Sequence, residues 1–94
     1  MNASHEGIPL LLFVAGDAPR TTVALENLRV TLAEFQDRSF QLEIINVFEN
    51  AERAIADRVL VTPTLLAPGS SRRLVGDLSE KNQLRYFLQT LERR

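Results

Sequence analysis

Cysteine is absent from the chain, and with it go disulfides, thiolate nucleophiles, thiolate metal sites and redox chemistry at sulfur. Net charge is nearly absent as well. Eleven basic residues stand against twelve acidic ones, a formal charge of -1, so no electrostatic footprint points to nucleic acid or to an anionic membrane surface. Histidine occurs once, as His5 in the small, polar opening segment, which argues against a Ser-His-Asp type site built on the threonines that follow. No cluster of His, Asp or Glu has metal-ligand spacing, and the carboxylates are scattered along solvated faces rather than paired for acid/base work. The one strongly apolar run, Ile8 to Val14, is far too short to cross a bilayer, and no basic segment precedes it. A cytoplasmic protein is therefore expected. Asn2-Ala3-Ser4 has the form of a glycan acceptor, which outside a secretory compartment is a chance match. Glycine is scarce, and Gly16 is followed by no others at nucleotide-binding spacing, so a tight turn accounts for it.

What is present suffices for one globular domain. The 94 residues are 45% hydrophobic and 24% charged, the balance of a folding chain rather than a disordered one. Residues 1–7 read as a flexible lead-in and residues 8–94 as a single domain. Ile8-Pro9-Leu10-Leu11-Leu12-Phe13-Val14 is apolar on both alternating sets, as in a strand covered on two faces. Pro9 fits only near its start. Asp17 or Ala18 then opens a helix with Pro19 in its first turn. Leu25, Leu28, Leu32 and Phe35 recur at three- and four-residue steps, which predicts a helix over 19–35.

Residues 41–48 return to strand composition, with Leu42, Ile44 and Asn46 on one face. Asn50 can cap a short, weakly anchored helix over 51–58. Residues 59–67 lead into a third strand, Pro68-Gly69 supplies a tight turn, and Arg72-Arg73-Leu74-Val75 returns as an antiparallel partner. Gly76 ends it. Asp77 or Ser79, with Glu80 completing a capping box, opens a last helix whose buried stripe is Leu84, Phe87, Leu88 and Leu91. The fold class is therefore α/β, in the order β-α-β-α-β-β-α with a mixed central sheet, a thioredoxin-like arrangement.

In that element order the proline of Thr62-Pro63-Thr64 is read as cis, facing the start of the first helix; an ordinary strand-starting trans proline is the alternative. Redox members of the fold carry a cysteine pair in the loop before that helix. Here the loop is Ala15-Gly16-Asp17-Ala18-Pro19-Arg20, which offers no nucleophile. Arg72-Arg73 and Arg93-Arg94 read as a solvated edge and a solvated end.

Leu12-Phe13-Val14-Ala15-Gly16, Ile44-Ile45-Asn46-Val47, Asn50, Val61-Thr62-Pro63-Thr64-Leu65 and Val75-Gly76-Asp77-Leu78-Ser79, in that order and spacing, resemble the KaiB family of the bacterial circadian clock. The match runs from about residue 8 to residue 91. The resemblance implies a protein with no catalytic residues, cofactor or metal, which binds the N-terminal ATPase ring of KaiC and competes there with the sensor domain of a clock histidine kinase. It places Asn50, Asp57 and Arg58 on or near the KaiC-facing side. It also implies two forms, a tetrameric ground state and a thioredoxin-like state that binds KaiC. Pro63, Gly76, Asp77, Phe87 and Gln89 are the positions expected to weight them.

The departures from the family pattern are informative. Ala67 to Ser71 is shorter than the family's proline-rich stretch and suits a direct hairpin. Phe87 and Gln89 stand where the family commonly has glycine and aspartate, and an apolar aromatic on the buried stripe favours a helical ending. The thioredoxin-like state, as a monomer, is therefore the expected form. Glu43 replaces a family lysine where the family engages KaiA, which argues against a KaiA partnership, and Val23 replaces a basic residue. Two other readings remain at this level: a cysteine-less glutathione-binding enzyme of the same fold, and an adaptor like the clock kinase's sensor domain, against which the end at Arg94 speaks.

Overall fold

A strand that is apolar on every position needs cover on both faces and a partner on both edges, and Ile8–Val14, β1, obtains all four. The computed structural model describes residues 7–91. In it β1 runs parallel to β2 (Phe40–Asn46) and antiparallel to β3 (Thr64–Leu66), which pairs antiparallel with β4 (Arg73–Val75). The four-stranded order is β2-β1-β3-β4. Ile8, Leu10, Leu12 and Val14 point to one core and Leu11 and Phe13 to a second on the opposite face. This is the alternation expected of a strand buried from both sides.

The larger core lies beneath α1 (Pro19–Leu32) and α3 (Lys81–Gln89), which supply Ala24, Leu28, Leu84, Phe87 and Leu88 to it. The smaller lies beneath α2 (Ala51–Ala56), whose only buried residue is Ala54. The α3 stripe is as predicted, with Leu91 buried just beyond the helix.

The first helix departs from the sequence reading. It ends at Leu32 rather than Phe35, because the Glu34 and Phe35 N–H groups bond three residues back, to the Thr31 and Leu32 carbonyls, and tighten the chain into a turn. Phe35 still reaches the core and meets Phe40 edge-on, with ring centroids 6.0 Å apart. The centre of the helix's buried stripe is Thr21, Ala24, Leu28 and Thr31, with Leu25 and Leu32 on its shoulders. Two of those central residues are polar. Thr31 is fully buried and its Oγ1 has no hydrogen-bond partner among the described residues. Thr31→Val keeps the shape and removes the desolvated hydroxyl. We expect a gain of about 1–2 kcal/mol, read from the urea midpoint.

Three further boundaries move. The second strand ends at Asn46, two residues before its predicted end, because the Asn46 side chain takes the Phe48 N–H and turns the chain. The third strand begins only at Thr64, after a cis Thr62–Pro63 peptide. The last helix begins at Lys81 with Glu80 at its cap and no side-chain capping bond. Asp77 instead accepts the Ser79 N–H in a local turn at 3.1 Å, so the predicted capping box does not form. The hairpin turn is as predicted: Ser70 N–H bonds the Ala67 carbonyl across Pro68 and Gly69, whose φ of +83° suits glycine.

The far end of α3 is closed from a distance. Arg38 Nη1 donates to the carbonyls of Leu88, Gln89 and Leu91 at 2.8, 3.1 and 3.3 Å. Leu88 and Gln89 stand in the last turn of α3, where carbonyls lack the usual partner four residues on.

Candidate functional site

Parallel β1 and β2 finish side by side, with Val14 in register with Asn46. Antiparallel β3 starts, and β4 finishes, at that same end, where Phe13 opposes Thr64 and Thr64 opposes Val75. Four connections therefore converge there: residues 15–18, 47–50, 59–63 and 76–80. The carboxyl end of the parallel strands is where open α/β sheets place their binding surfaces.

Asn46 joins two of these connections. Its Oδ1 accepts the Gly16 N–H at 3.1 Å and the Phe48 N–H at 3.0 Å, while its carbonyl accepts Asn50 Nδ2 at 3.0 Å. The polar residue that interrupts the β2 pattern is thus the clamp between the loop before α1 and the loop before α2. Gly16 adopts a φ of +59°, which a residue with a side chain takes at a cost. Asn46→Ala leaves two backbone N–H groups without their acceptor. We expect it to destabilise the fold by about 1–3 kcal/mol, measured by urea denaturation, with amide exchange speeding up at Gly16 and Phe48.

The other two connections are tied by Gly76, whose N–H donates to the Pro63 carbonyl at 2.9 Å with a φ of +112°. Pro63 is buried beside Thr64, whose hydroxyl donates to the Val61 carbonyl at 2.7 Å. Asp77 is anchored to α1 through Asn27 Nδ2, which donates to its carbonyl at 2.9 Å. Its carboxyl is held below the usual range by hydrogen bonds from Ser79, with Arg20 adding to the effect. Of the remaining positions singled out for the fold state, Phe87 is buried in the larger core. Gln89 is exposed at the end of α3.

Asn50, Asp57 and Arg58 all border α2. Asn50 and Asp57 occupy its two caps, and Arg58 follows in the left-handed region with a φ of 57°. The predicted side-chain cap by Asn50 is not made, since its amide points back and donates to the Asn46 carbonyl. Glu43 on β2 is held by Arg53 of α2 at 2.7 Å. The Arg53 hydrogen bond keeps the Glu43 carboxyl below its usual range and raises the guanidinium in turn. The same arrangement joins Glu34 to Arg85 of α3, lowering the one and raising the other.

Sequence reasoning missed the apolar surface around α2. Phe48 is 76% exposed, Ile55 75%, Leu60 92% and Val61 51%, all on the stretch joining β2 to β3. Phe48, Leu60 and Val61 fell inside or just before strands read as longer than they are. The signal that could have found them was the missing apolar partner stripe on so short a helix.

Thr21 is buried and Thr22 exposed at the start of α1, and the loop before them presents Gly16, Asp17 and Ala18 where a nucleophile would stand. His5 lies outside the described residues.

A family model described as the KaiB domain matches residues 11–90. The chain belongs to the KaiB family. Among its curated relatives is the circadian clock oscillator protein KaiB of Gloeothece citriformis, 34% identical over 86 residues, covering 89% of this chain and 81% of the relative. KaiB of Nostoc sp. is likewise 34% identical over 86 residues, with 89% and 80% covered.

Among solved structures, the N-terminal domain of Synechococcus elongatus SasA superposes with a TM-score of 0.73 at 30% identity, covering 98% of this chain and 92% of that one. Mitochondrial thioredoxin 3 of Saccharomyces cerevisiae superposes with a TM-score of 0.74 at 13% identity, covering 93% and 81%. That second likeness concerns the fold alone. This KaiB-family chain therefore has the thioredoxin-like architecture.

Proposed function

We propose that this KaiB-family protein is a non-enzymatic clock regulator that docks by its α2 side onto the N-terminal ATPase ring of a KaiC-type protein. The observation that carries the reading is the exposed apolar set Phe48, Ile55, Leu60 and Val61, bordered by Asn50, Asp57 and Arg58. Apolar side chains gathered at one end of a small domain lose water on docking, and the polar groups at their margin set the orientation. Likeness to the SasA N-terminal domain supports a shared footprint and hence competition for the ring. The protein acts in the cytoplasm as a monomer in its thioredoxin-like state. The engagement of Glu43 by Arg53 argues against KaiA as a partner at the β2 edge. The loop 15–18 carries no serine, tyrosine or cysteine to activate a thiol, which weighs against the glutathione-binding reading.

Titration of the labelled protein with its cognate KaiC-type ring, in each nucleotide state, is the direct test. Saturable binding is expected, and Ile55→Glu with Leu60→Glu weakens it by at least about tenfold while leaving the circular dichroism unchanged. Absence of binding in every nucleotide state rejects the reading.

A further inference from the structure

The sheet has a second open edge, opposite that of β2. Strand β4 pairs with β3 on one side only. Its backbone phase follows from the tie at its end: the Gly76 N–H points inward to the Pro63 carbonyl. In an antiparallel ladder the inward groups recur every second residue, so Leu74 also faces β3, and the N–H and C=O of Arg73 and Val75 face outward. Val75 is 60% exposed. These outward groups form a short template for one more strand.

Beside that edge runs a groove of about 410 Å3 between β4 and α3, floored by Leu74 and Phe87 and walled by Gln83, Tyr86 and Arg72. Tyr86 is 63% exposed, and the Arg72 guanidinium lies 5.9 Å from its ring centroid. Arg73 sends its guanidinium to the Arg58 carbonyl at 3.1 Å. Neither arginine is paired with a carboxylate among the described residues, whose ion pairs are Arg53–Glu43 and Arg85–Glu34, and no acidic residue lines the groove. Edge arginines discourage a neutral or basic strand and accept an acidic one.

We propose that the β4 edge and the adjoining groove take an extended acidic segment of a partner protein as an added strand. Its backbone bonds the outward groups of Arg73 and Val75. Alternate apolar side chains enter the groove against Tyr86, and the carboxylates between them point to the opposite face, where Arg73 stands. The two surfaces adjoin through the Arg73–Arg58 contact, but Val75→Pro leaves Phe48, Ile55, Leu60 and Val61 untouched and the probe is a free peptide, so the outcome is read separately from the KaiC reading.

The probe is a short synthetic peptide of alternating glutamate and valine, titrated at low salt and followed by NMR. The expected result is saturable binding with amide protection appearing at Arg73 and Val75. Val75→Pro removes an outward N–H without breaking a bond to β3, which an edge position tolerates, and should weaken binding by at least about tenfold. The pair Arg72→Glu and Arg73→Glu should lose the acidic peptide and bind one of alternating lysine and valine instead. The proposal is overturned if the wild-type protein shows no saturable binding, if the shifts map to the β2 edge, if Val75→Pro binds as tightly as wild type, or if the charge-reversed protein does not change its preference.

Discussion

Replacing Phe87 with glycine should destabilise the protein by about 4–6 kcal/mol and dissolve the last helix. Phe87 is 5% exposed in the larger core, beside Leu84 and Leu88 on one face of α3. Loss of a buried phenylalanine side chain costs about 3–5 kcal/mol, cavity included, and glycine inside a helix costs about 1 kcal/mol more relative to alanine. The folded state of a small domain lies only about 5–15 kcal/mol below the unfolded one, so the change removes a large share of the margin. The measurements are a urea titration and a backbone NMR assignment. The wild-type protein should read as helix from Leu84 to Gln89, and the variant should lose it. A helical segment unchanged in the variant, or a wild-type chain extended over those residues, would overturn the role given to Phe87. Arg38 would then have no helix end to close.

Phe13→Ala has the second largest expected effect, and it falls on the other face. Phe13 is fully buried in the smaller core, which among the described residues has Leu11, Ile45, Ala54 and Leu66 beside it, with Val47 and Val59 at its margin. A cost of about 3–5 kcal/mol is expected from the lost ring. At about 4–8 °C per kcal/mol for a domain of this size, the midpoint of thermal unfolding drops by at least about 12 °C. The loss should be felt first at α2, which enters that core through Ala54 alone. Hydrogen exchange is the check: amides of Ala54 to Asp57 should lose protection ahead of those of Leu84 and Leu88. Uniform loss across both faces would mean that the two cores are one cooperative unit.

The α3 stripe repeats at helical steps on one face, and its side chains all report the same environment, so periodicity alone assigns it. The α1 stripe misled because two of its central positions are threonines, and polarity is a poor marker of burial where a helix lies close on a sheet. At the candidate site, Asn50, Asp57 and Arg58 were singled out through a family resemblance, and the structure places them at the ends of α2. Phe48 before them and Leu60 and Val61 beyond them were absorbed into segments read as strand or as leading into one. The strands stop where a side chain takes a backbone group, as Asn46 does with the Phe48 N–H. No propensity scale registers such a bond.

From the sequence alone it follows that the chain supplies no thiol of its own, that β1 is buried on both faces, that the order of elements is thioredoxin-like, and that a tight turn follows Ala67. Only the tertiary structure decided that Asn46 clamps the Gly16 loop across 30 residues, that Arg38 closes the end of α3 from 50 residues away, and that the surface around α2 is left apolar and open. The physical reason is one of range. Hydrophobic period and turn chemistry act between neighbours along the chain and can be read there, whereas a hydrogen bond between distant segments exists only once the sheet has brought two strand ends together.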